Sequence, residues 1–323
     1  MTLTTPFIHA LRKAAPDAHI TMLVDEKLKD VVLFNPYLDE VVTIDKKGRD
    51  NSILSLWACS RHLSKLDFDV LINLHPNERC SFIDAMTSVK LRTGTTHKIF
   101  KWFWDVFTPL DRSMHAADMY LDVLQQLGVQ DLSNNGLEIF PGEEHFLEAE
   151  LFWQEQNITD QDKLIGFNIG SAVPTKRWPP ERFAEVADIF AAKGYKTVFF
   201  GGPMDEEMVA EATGYMQTRP IIATGHFAIG GLAAAMRRCC LIITNDSGPM
   251  HVAISQKVPI VAMYGPSNPK LYGPYTKDAV IVTAQPPCQG CADGMKHSCD
   301  DLQCMSRMTV EQVVAAAEKM LEK

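Results

Sequence analysis

The chain has 323 residues, of which 46% are hydrophobic and 22% are charged, and its formal net charge is -9. This length suits two domains of ordinary size, and the negative charge argues against nucleic acid as a partner, because binding to phosphates needs a basic surface. No apolar run reaches the roughly 20 residues of a membrane-spanning helix, and the first residues lack a signal-peptide pattern. We therefore expect a cytoplasmic protein.

The first predicted elements are a helix and then a strand. Residues 4–6 are typical of the end of a loop, and Phe7, Ile8 and Leu11 predict an amphipathic helix that leads into the strand HITMLV. In alternating α/β folds, such a helix has usually been preceded by another strand. The sequence therefore predicts an N-terminal domain that lacks its first strand.

Short apolar runs and amphipathic segments alternate along the rest of the chain. The first half predicts strands at EVVTI and DFDVLINL and helices near residues 26–34, 53–66, 81–87 and 116–127. Between them, RTGTTHKIFKWFWDVFTPLDRSM has no clear period, and its aromatic residues either line a groove or cover a core. The second half predicts strands at LIGFNIG, KTVFFGG, PIIAT, CLIITN, PIVAMYG and AVIVTA, with helices between them.

Buried strands that alternate with helices are typical of parallel sheets. The sequence thus predicts an α/β fold with two doubly wound domains, residues 1–155 and residues 156–323. Ligands of such sheets bind beyond the carboxyl ends of the strands, so the loops that follow the strands of the second half are candidate binding sites.

The loop NIGSAVPTKRW follows the first of these strands and contains Ser171, Thr175 and Lys176. A lysine just before a helix N-terminus supplies positive charge for a phosphate, helped by the helix dipole. A solvated surface lysine explains the same position equally well.

The next strand runs into FFGGPMDEE. Its paired glycines allow close approach of a ligand to the backbone, and Glu206 stands where dinucleotide-binding folds place an acid on ribose hydroxyls. Acidic residues at a helix start are also favoured by the helix dipole alone.

The stretch IITNDSGPMHVA is the most specific in the chain. The backbone N–H groups of Ser247 and Gly248, at a predicted helix start, form an anion site. Asp246 would repel a phosphate there unless it binds another group, such as a lysine or a hydroxyl. Helix capping explains Asp246 or Ser247 alone, but it does not explain His251.

Several common site motifs are absent from the sequence. No G-x-G-x-x-G or G-x-x-x-x-G-K-[ST] motif follows a strand, which argues against a standard dehydrogenase or P-loop enzyme. Four cysteines, Cys288, Cys291, Cys299 and Cys304, lie close together in CQGCADGMKHSCDDLQC. Such thiols can bind zinc or an iron–sulfur cluster, but their spacing fits no standard set, and disulfides or reduced thiols are equally allowed.

The motifs GSAVPTKRWPPERFAEVA, FFGGPMDEE, TNDSGPMHVAISQKVPIVAMYGPSNP and CMSRMTVEQV resemble, in the same order, those of glycosyltransferase family 9, the ADP-heptose:lipopolysaccharide heptosyltransferases. LTTPFIHALRKAAPDAHITMLV and DFDVLINLHPNERCSFIDAM match more loosely, so the resemblance extends over essentially the whole chain. It implies a GT-B fold, in which two Rossmann-like domains face a cleft, with the acceptor on the N-terminal domain and the nucleotide sugar on the C-terminal one.

The resemblance further implies an inverting glycosyltransferase that moves a heptose or related sugar from an ADP-sugar to the lipopolysaccharide inner core without a metal or other cofactor. Such an acceptor is compatible with peripheral contact at the cytoplasmic face of the inner membrane. By position, Lys176 would stabilise the diphosphate leaving group and Glu206 would hold the ribose. Asp246 with Ser247 and Gly248 would organise the sugar-diphosphate, and the backbone of residues 225–229 would meet the adenine. The implied donor-binding residues are Ser171, Thr175, Glu206, Ser247, Gly248 and His251.

The family pattern also implies a general base, an Asp that would stand immediately before Met1. Either the start codon is assigned too late or the protein is shortened, and in the second case His75 or Glu78 would have to substitute. Two alternatives therefore stand beside the transferase: a non-catalytic nucleotide-sugar-binding protein, and a zinc-dependent module built on the terminal cysteines.

Overall fold

The computed structural model describes residues 1–96, 98–109, 111, 113–284, 299 and 301–322. The chain forms two compact units that divide between Asn135 and Gly136, rather than at the predicted boundary between residues 155 and 156. The difference arises from a helix, Glu143–Glu155, which belongs to the second unit. Its buried Phe152 packs edge-to-face on Phe227, with ring centroids 5.1 Å apart.

In the described residues of the first unit there are two parallel sheets and four α-helices. The strands are β1 (Thr21–Asp25), β2 (Glu40–Ile44), β3 (Val70–Asn73), β4 (Leu91–Gly94) and β5 (Val106–Phe107), paired as β1-β2 and as β3-β4-β5. The helices are α1 (Thr5–Ala14), α2 (Ile53–Ser64), α3 (Glu78–Met86) and α4 (Ala116–Gln126), with 3-10 helices at Glu26–Val31 and Lys98–Phe103. Helix α1 precedes the first strand, as predicted.

Local sequence explains where these helices begin. Thr5 and Pro6 open α1 instead of ending a loop, because proline fits the first helical turn, where its missing N–H has no partner to lose. Helix α2 begins with a capping box between Ser52 and Ser55, which satisfies two N–H groups at the helix start.

The stretch of unclear period in the sequence covers most of β4, the 3-10 helix Lys98–Phe103 and β5. Of its aromatic residues, some are buried or half-buried, as the prediction that they cover a core requires, and others are exposed. Trp104 is buried and donates its indole N–H to the carbonyl oxygen of Thr93 at 3.2 Å, whereas the Trp102 side chain is 93% exposed.

The second unit is built on a six-stranded parallel sheet of order β11-β10-β9-β6-β7-β8. Its strands are β6 (Leu164–Asn168), β7 (Lys196–Phe200), β8 (Ile221–Ile222), β9 (Cys239–Asn245), β10 (Ile260–Met263) and β11 (Ala279–Val282). Its helices are α5 (Glu143–Glu155), α6 (Pro180–Ala192), α7 (Glu206–Tyr215), α8 (Ile229–Met236), α9 (Gly248–Ser255), α10 (Pro269–Tyr272), α11 (Gln303–Ser306) and α12 (Val310–Leu321).

The core of the second unit lies against the two central strands. Phe167 on β6 and Ile243 on β9 are opposite each other in the register and fully buried, and Phe199 stacks on Phe167 at a ring distance of 5.2 Å. Trp178, Val313 of α12 and other buried residues belong to the same cluster. Each large apolar side chain removed from water in this way contributes about 1.5–3 kcal/mol.

The strand order reverses between β6 and β9. From β6 the chain proceeds outward through β7 and β8, and it then returns to β9 on the other side of β6. The loops that follow β6 and β9 therefore leave the sheet in adjacent positions, which is the place where open α/β sheets bind ligands.

Among the described residues, no helix has the length and hydropathy that crossing a bilayer would require.

Candidate functional site

An ion pair lies at the point where the strand order reverses. The Nζ of Lys176, in the loop after β6, donates to Oδ2 of Asp246, which follows β9, at 2.8 Å. The two side chains are only 12% and 7% exposed. In a pair so shielded from water, removal of either partner leaves an uncompensated buried charge.

Two serine hydroxyls complete the surroundings of Asp246. Ser267, in the loop after β10, donates to the same Oδ2 at 2.5 Å, and Ser171 donates to the Asp246 carbonyl oxygen at 3.3 Å. Burial and the negative charge of Asp246 raise the pKa of Tyr264, so this phenol stays neutral. Asp246 thus has the lysine and hydroxyl partners that its position at an anion site requires.

The loop that carries Lys176 is fastened to the end of β9. The side-chain amide of Asn245 donates to the Ile169 carbonyl oxygen at 2.7 Å, and its oxygen accepts the backbone N–H of Trp178 at 3.1 Å. The Nε of Arg177 donates to the Ser171 carbonyl oxygen at 2.8 Å. These bonds fix the backbone on both sides of Lys176.

Helix α9 begins beside the ion pair, and a second amide holds its start. Asn168, the last residue of β6, donates from Nδ2 to the hydroxyls of Ser247 at 2.8 Å and Thr244 at 3.0 Å. Ser247 is the N-cap of α9, and Gly248 at its first position is exposed. The first N–H groups of a helix have no partner within the helix, so this end of α9 attracts anions.

Thr175 and His251 flank the ion pair in sequence. Thr175 is buried in the 3-10 turn Pro174–Lys176, and His251 is half-buried in the first turn of α9. Both therefore lie in the two segments that form the site.

Glu206 lies at a different part of the same sheet edge, after β7. It is exposed at the first position of α7 and stands beside Gly225, the segment after β8. A Cβ atom on Gly225 would lie 2.7 Å from Oε1 of Glu206, and its φ of 75° is a conformation that favours glycine. The carboxylate of Glu206 thus lies beside residues 225–229, the backbone segment predicted to meet the adenine.

Asp205 contacts glycines in both the loop after β6 and the loop after β7. Its Oδ2 accepts the backbone N–H of Gly202 at 2.9 Å, and a Cβ on Gly170 would lie 2.1 Å from its Oδ1. The loops after β6 and β7 therefore touch through a carboxylate, and only glycine leaves room for it.

Ser267, Asn168 and Asn245 are site residues that the sequence interpretation missed. Asn168 and Asn245 each end a buried apolar strand with an amide, which was an available signal. Ser267 gave a weaker one, because YGPSNP reads as an ordinary turn.

In the first unit, the two predicted substitutes for a general base follow β3. Burial and the positive charge of Lys46 lower the pKa of His75, which favours the neutral imidazole, the form that accepts a proton. Glu78 opens α3.

The alternative of a zinc-binding module involves the terminal cysteines. Cys288 and Cys291 lie outside the described residues, Cys299 is exposed, and Cys304 is buried in α11. Within the described part of the chain, no group of three or more His, Cys, Asp or Glu side chains is arranged to bind a metal ion.

Comparisons with known proteins place the chain in a family. The model of glycosyltransferase family 9 (heptosyltransferase) matches residues 56–299. The crystal structure of the glycosyl transferase family 9 protein from Veillonella parvula DSM 2008 is 53% identical, with a TM-score of 0.94, over 99% of this chain and 93% of that one.

Two Escherichia coli proteins are more distant. Lipopolysaccharide heptosyltransferase 3 of strain K12 is 24% identical over 99% of this chain and 94% of its own length. The structure of E. coli ADP-heptose lps heptosyltransferase II is 20% identical with a TM-score of 0.78, covering 100% of this chain and 95% of that one, and this likeness shows the same GT-B type of fold. The chain belongs to glycosyltransferase family 9 (heptosyltransferase) and is a transferase enzyme.

Proposed function

We propose that this protein transfers a heptose from ADP-heptose to the inner core of lipopolysaccharide, with inversion at the anomeric carbon. The observation that carries the proposal is the Lys176–Asp246 pair, held at 2.8 Å where β6 and β9 diverge. The E. coli relatives, named for ADP-heptose and for lipopolysaccharide, support the donor and the acceptor.

The chemistry requires a positive environment for the leaving group. As the acceptor hydroxyl attacks, negative charge grows on the diphosphate of ADP, and groups already aimed at that charge lower the barrier most. Lys176 supplies a full charge, and the start of α9 at Gly248 adds the helix dipole. Asp246 and Ser267 orient the lysine, so it is in place before the donor arrives.

Three other predicted residues are suited to different parts of the donor. Glu206 beside Gly225 is suited to the ribose and the base, while Ser247 and Gly248 are suited to the phosphates. With a lysine and a helix N-terminus at the diphosphate, transfer needs no metal ion or cofactor. The first unit then binds the acceptor at the cytoplasmic face of the inner membrane.

The test is a product assay with purified protein, ADP-heptose and lipopolysaccharide that lacks its heptose. We expect release of ADP and a heptosylated product whose anomeric configuration, read by NMR, is opposite to that of the donor. Retention of configuration would contradict the inverting reaction. Binding of ADP-heptose without any product would support the non-catalytic alternative instead.

A further inference from the structure

The first unit exposes an unusual amount of apolar surface on two elements. Four of the five most exposed large hydrophobic side chains of the described residues lie there: Ile53 and Leu54 on α2, and Ile99 and Trp102 on the 3-10 helix Lys98–Phe103. Scattered exposed apolar residues are ordinary, but a concentration of them marks an interaction site.

The two elements share a neighbour in the unit. Both α2 and the 3-10 helix pack against α3, and the rings of Phe82 on α3 and Phe100 on the 3-10 helix meet edge-to-face at 6.4 Å. We call the exposed residues of these elements the aromatic-basic surface. They are Ile53, Leu54, Trp57 and Arg61 of α2, and Ile99, Lys101, Trp102 and Phe103 of the 3-10 helix.

The charge around this surface is opposite to that of the chain. Residues 51–66 and 86–104 contain six Lys and Arg and no Asp or Glu, in a protein with 40 acidic residues and a net charge of -9. Lys90 among them pairs with Asp69 at 2.6 Å. A local positive charge on an acidic protein is suited to an anionic partner.

The cations lie directly beside aromatic rings. The guanidinium of Arg61 is 5.9 Å from the Trp57 ring centroid, and Nζ of Lys101 is 4.8 Å from that of Phe107. Tryptophan next to lysine or arginine is typical of segments that lie at a membrane interface, where the ring enters the headgroup region and the cation meets anionic lipid.

We propose that the aromatic-basic surface binds the surface of a lipid bilayer that contains anionic phospholipids. Trp102, Ile99 and Leu54 enter the headgroup boundary, and Arg61 and Lys101 meet the lipid phosphates. This inference deepens the proposed function, because it names the surface by which the first unit would lie at the membrane; the exposure, charge and cation–π contacts from which it is argued do not depend on sugar transfer.

The test is sedimentation of the purified protein with vesicles of phosphatidylethanolamine and phosphatidylglycerol, without donor or acceptor. We expect binding that is lost on neutral phosphatidylcholine vesicles. Lys101→Glu should weaken it roughly thirtyfold, because each basic charge near an anionic surface contributes about 1 kcal/mol. Trp102→Ser should weaken it about tenfold or more through lost apolar contact.

Two variants of the second unit serve as matched controls. Met204→Ser removes a side chain that is 83% exposed, and Lys277→Glu reverses an exposed charge, so both should bind vesicles as the wild type does. Unchanged melting temperatures will show that all four variants fold. The proposal would be overturned if the wild type does not bind the vesicles, or if Trp102→Ser and Lys101→Glu bind them as strongly as the wild type does. Self-association through this surface in place of vesicle binding would also overturn it.

Because no sugar is transferred in this experiment, its failure is distinct from a failure of the proposed function. Conversely, transfer to a water-soluble acceptor that lacks lipid chains will proceed in Trp102→Ser if the site in the second unit is intact. The two proposals can therefore stand or fall separately.

Discussion

The ammonium group of Lys176 lies 2.8 Å from the carboxylate of Asp246, although the two residues are 70 positions apart in the sequence. They meet because β6 and β9, the strands that they follow, are neighbours in the sheet. The Ser267 hydroxyl also donates to this carboxylate. The arrangement holds a largely shielded cation beside the N-terminus of α9.

Removal of the lysine will destabilise the second unit. Lys176→Ala leaves the Asp246 carboxylate buried without its cation, and we expect a loss of about 3–5 kcal/mol in the free energy of unfolding, measured by denaturant titration. The control is Lys193→Ala, which breaks the exposed ion pair with Glu318 and should cost about 0–1 kcal/mol. The double variant Lys176→Met, Asp246→Asn should recover most of the loss, and no recovery would contradict the buried pair as its cause.

Loss of the hydroxyl that reaches Asp246 will have a smaller effect. Ser267→Ala removes a hydrogen bond to a charged group, which contributes about 1.5–3 kcal/mol. Ser255→Ala, the control, removes a buried hydroxyl bonded only to a helix carbonyl and to a neutral amide, and should cost about 1 kcal/mol. Equal losses in the free energy of unfolding would contradict a stronger hydrogen bond from Ser267 to the Asp246 carboxylate.

Two glycine substitutions isolate the role of Glu206. Gly225→Ala and Gly194→Ala both force alanine into positive φ, at 75° and 90°, and each should cost about 1–2 kcal/mol of stability. Only at Gly225 does the new Cβ meet Glu206, because nothing lies within 4 Å at Gly194. Calorimetry should therefore find weaker ADP binding in Gly225→Ala alone, and equal affinities would refute the assignment of Glu206 to the nucleoside.

Asp84 makes the first unit less stable as the pH rises. It is buried on α3, accepts a bond from Nδ2 of Asn73 at 2.5 Å, and burial raises its pKa to about 8. Between about pH 4 and pH 8 the folded state keeps the proton that the unfolded state has lost, so the free energy of unfolding falls by up to about 1.4 kcal/mol per pH unit.

Replacement of this carboxyl should abolish that dependence. Asp84→Asn keeps an oxygen to accept the Asn73 amide but cannot ionise, so it should exceed the wild type in stability most at the alkaline end of the range. Asp69→Asn, at an exposed ion pair, is the control and should leave the slope unchanged. If the free energy of unfolding depends on pH equally in the wild type and in Asp84→Asn, the result would contradict a neutral Asp84 in the folded protein.

The sequence predicted most strands because buried parallel strands are runs of apolar residues, as in β9 and β10. Strands β4 and β5 escaped notice because one contains arginine, threonine and glycine and the other has only two residues. Helix α5 was missed because Leu147 and Leu151 are exposed while Phe152 is buried, so its apolar residues do not mark one face.

For the site, position after a strand was enough to single out Lys176 and Asp246. A lysine or hydroxyl partner for Asp246 was expected, but the adjacency of β6 and β9 that brings the two residues together was not predictable, because chain order does not specify it. Ser267 was missed for the same reason, since it reaches Asp246 only through the pairing of β10 with β9.

The most direct test of the account is the rate of heptose transfer from ADP-heptose by Lys176→Ala, compared with Lys193→Ala and the wild type under conditions where all three are folded. We predict that Lys193→Ala transfers at the wild-type rate and that Lys176→Ala is slower by about a hundredfold or more, as expected when one preorganised stabilising group is removed. Equal rates for Lys176→Ala and the wild type would contradict the placement of the leaving group at this lysine.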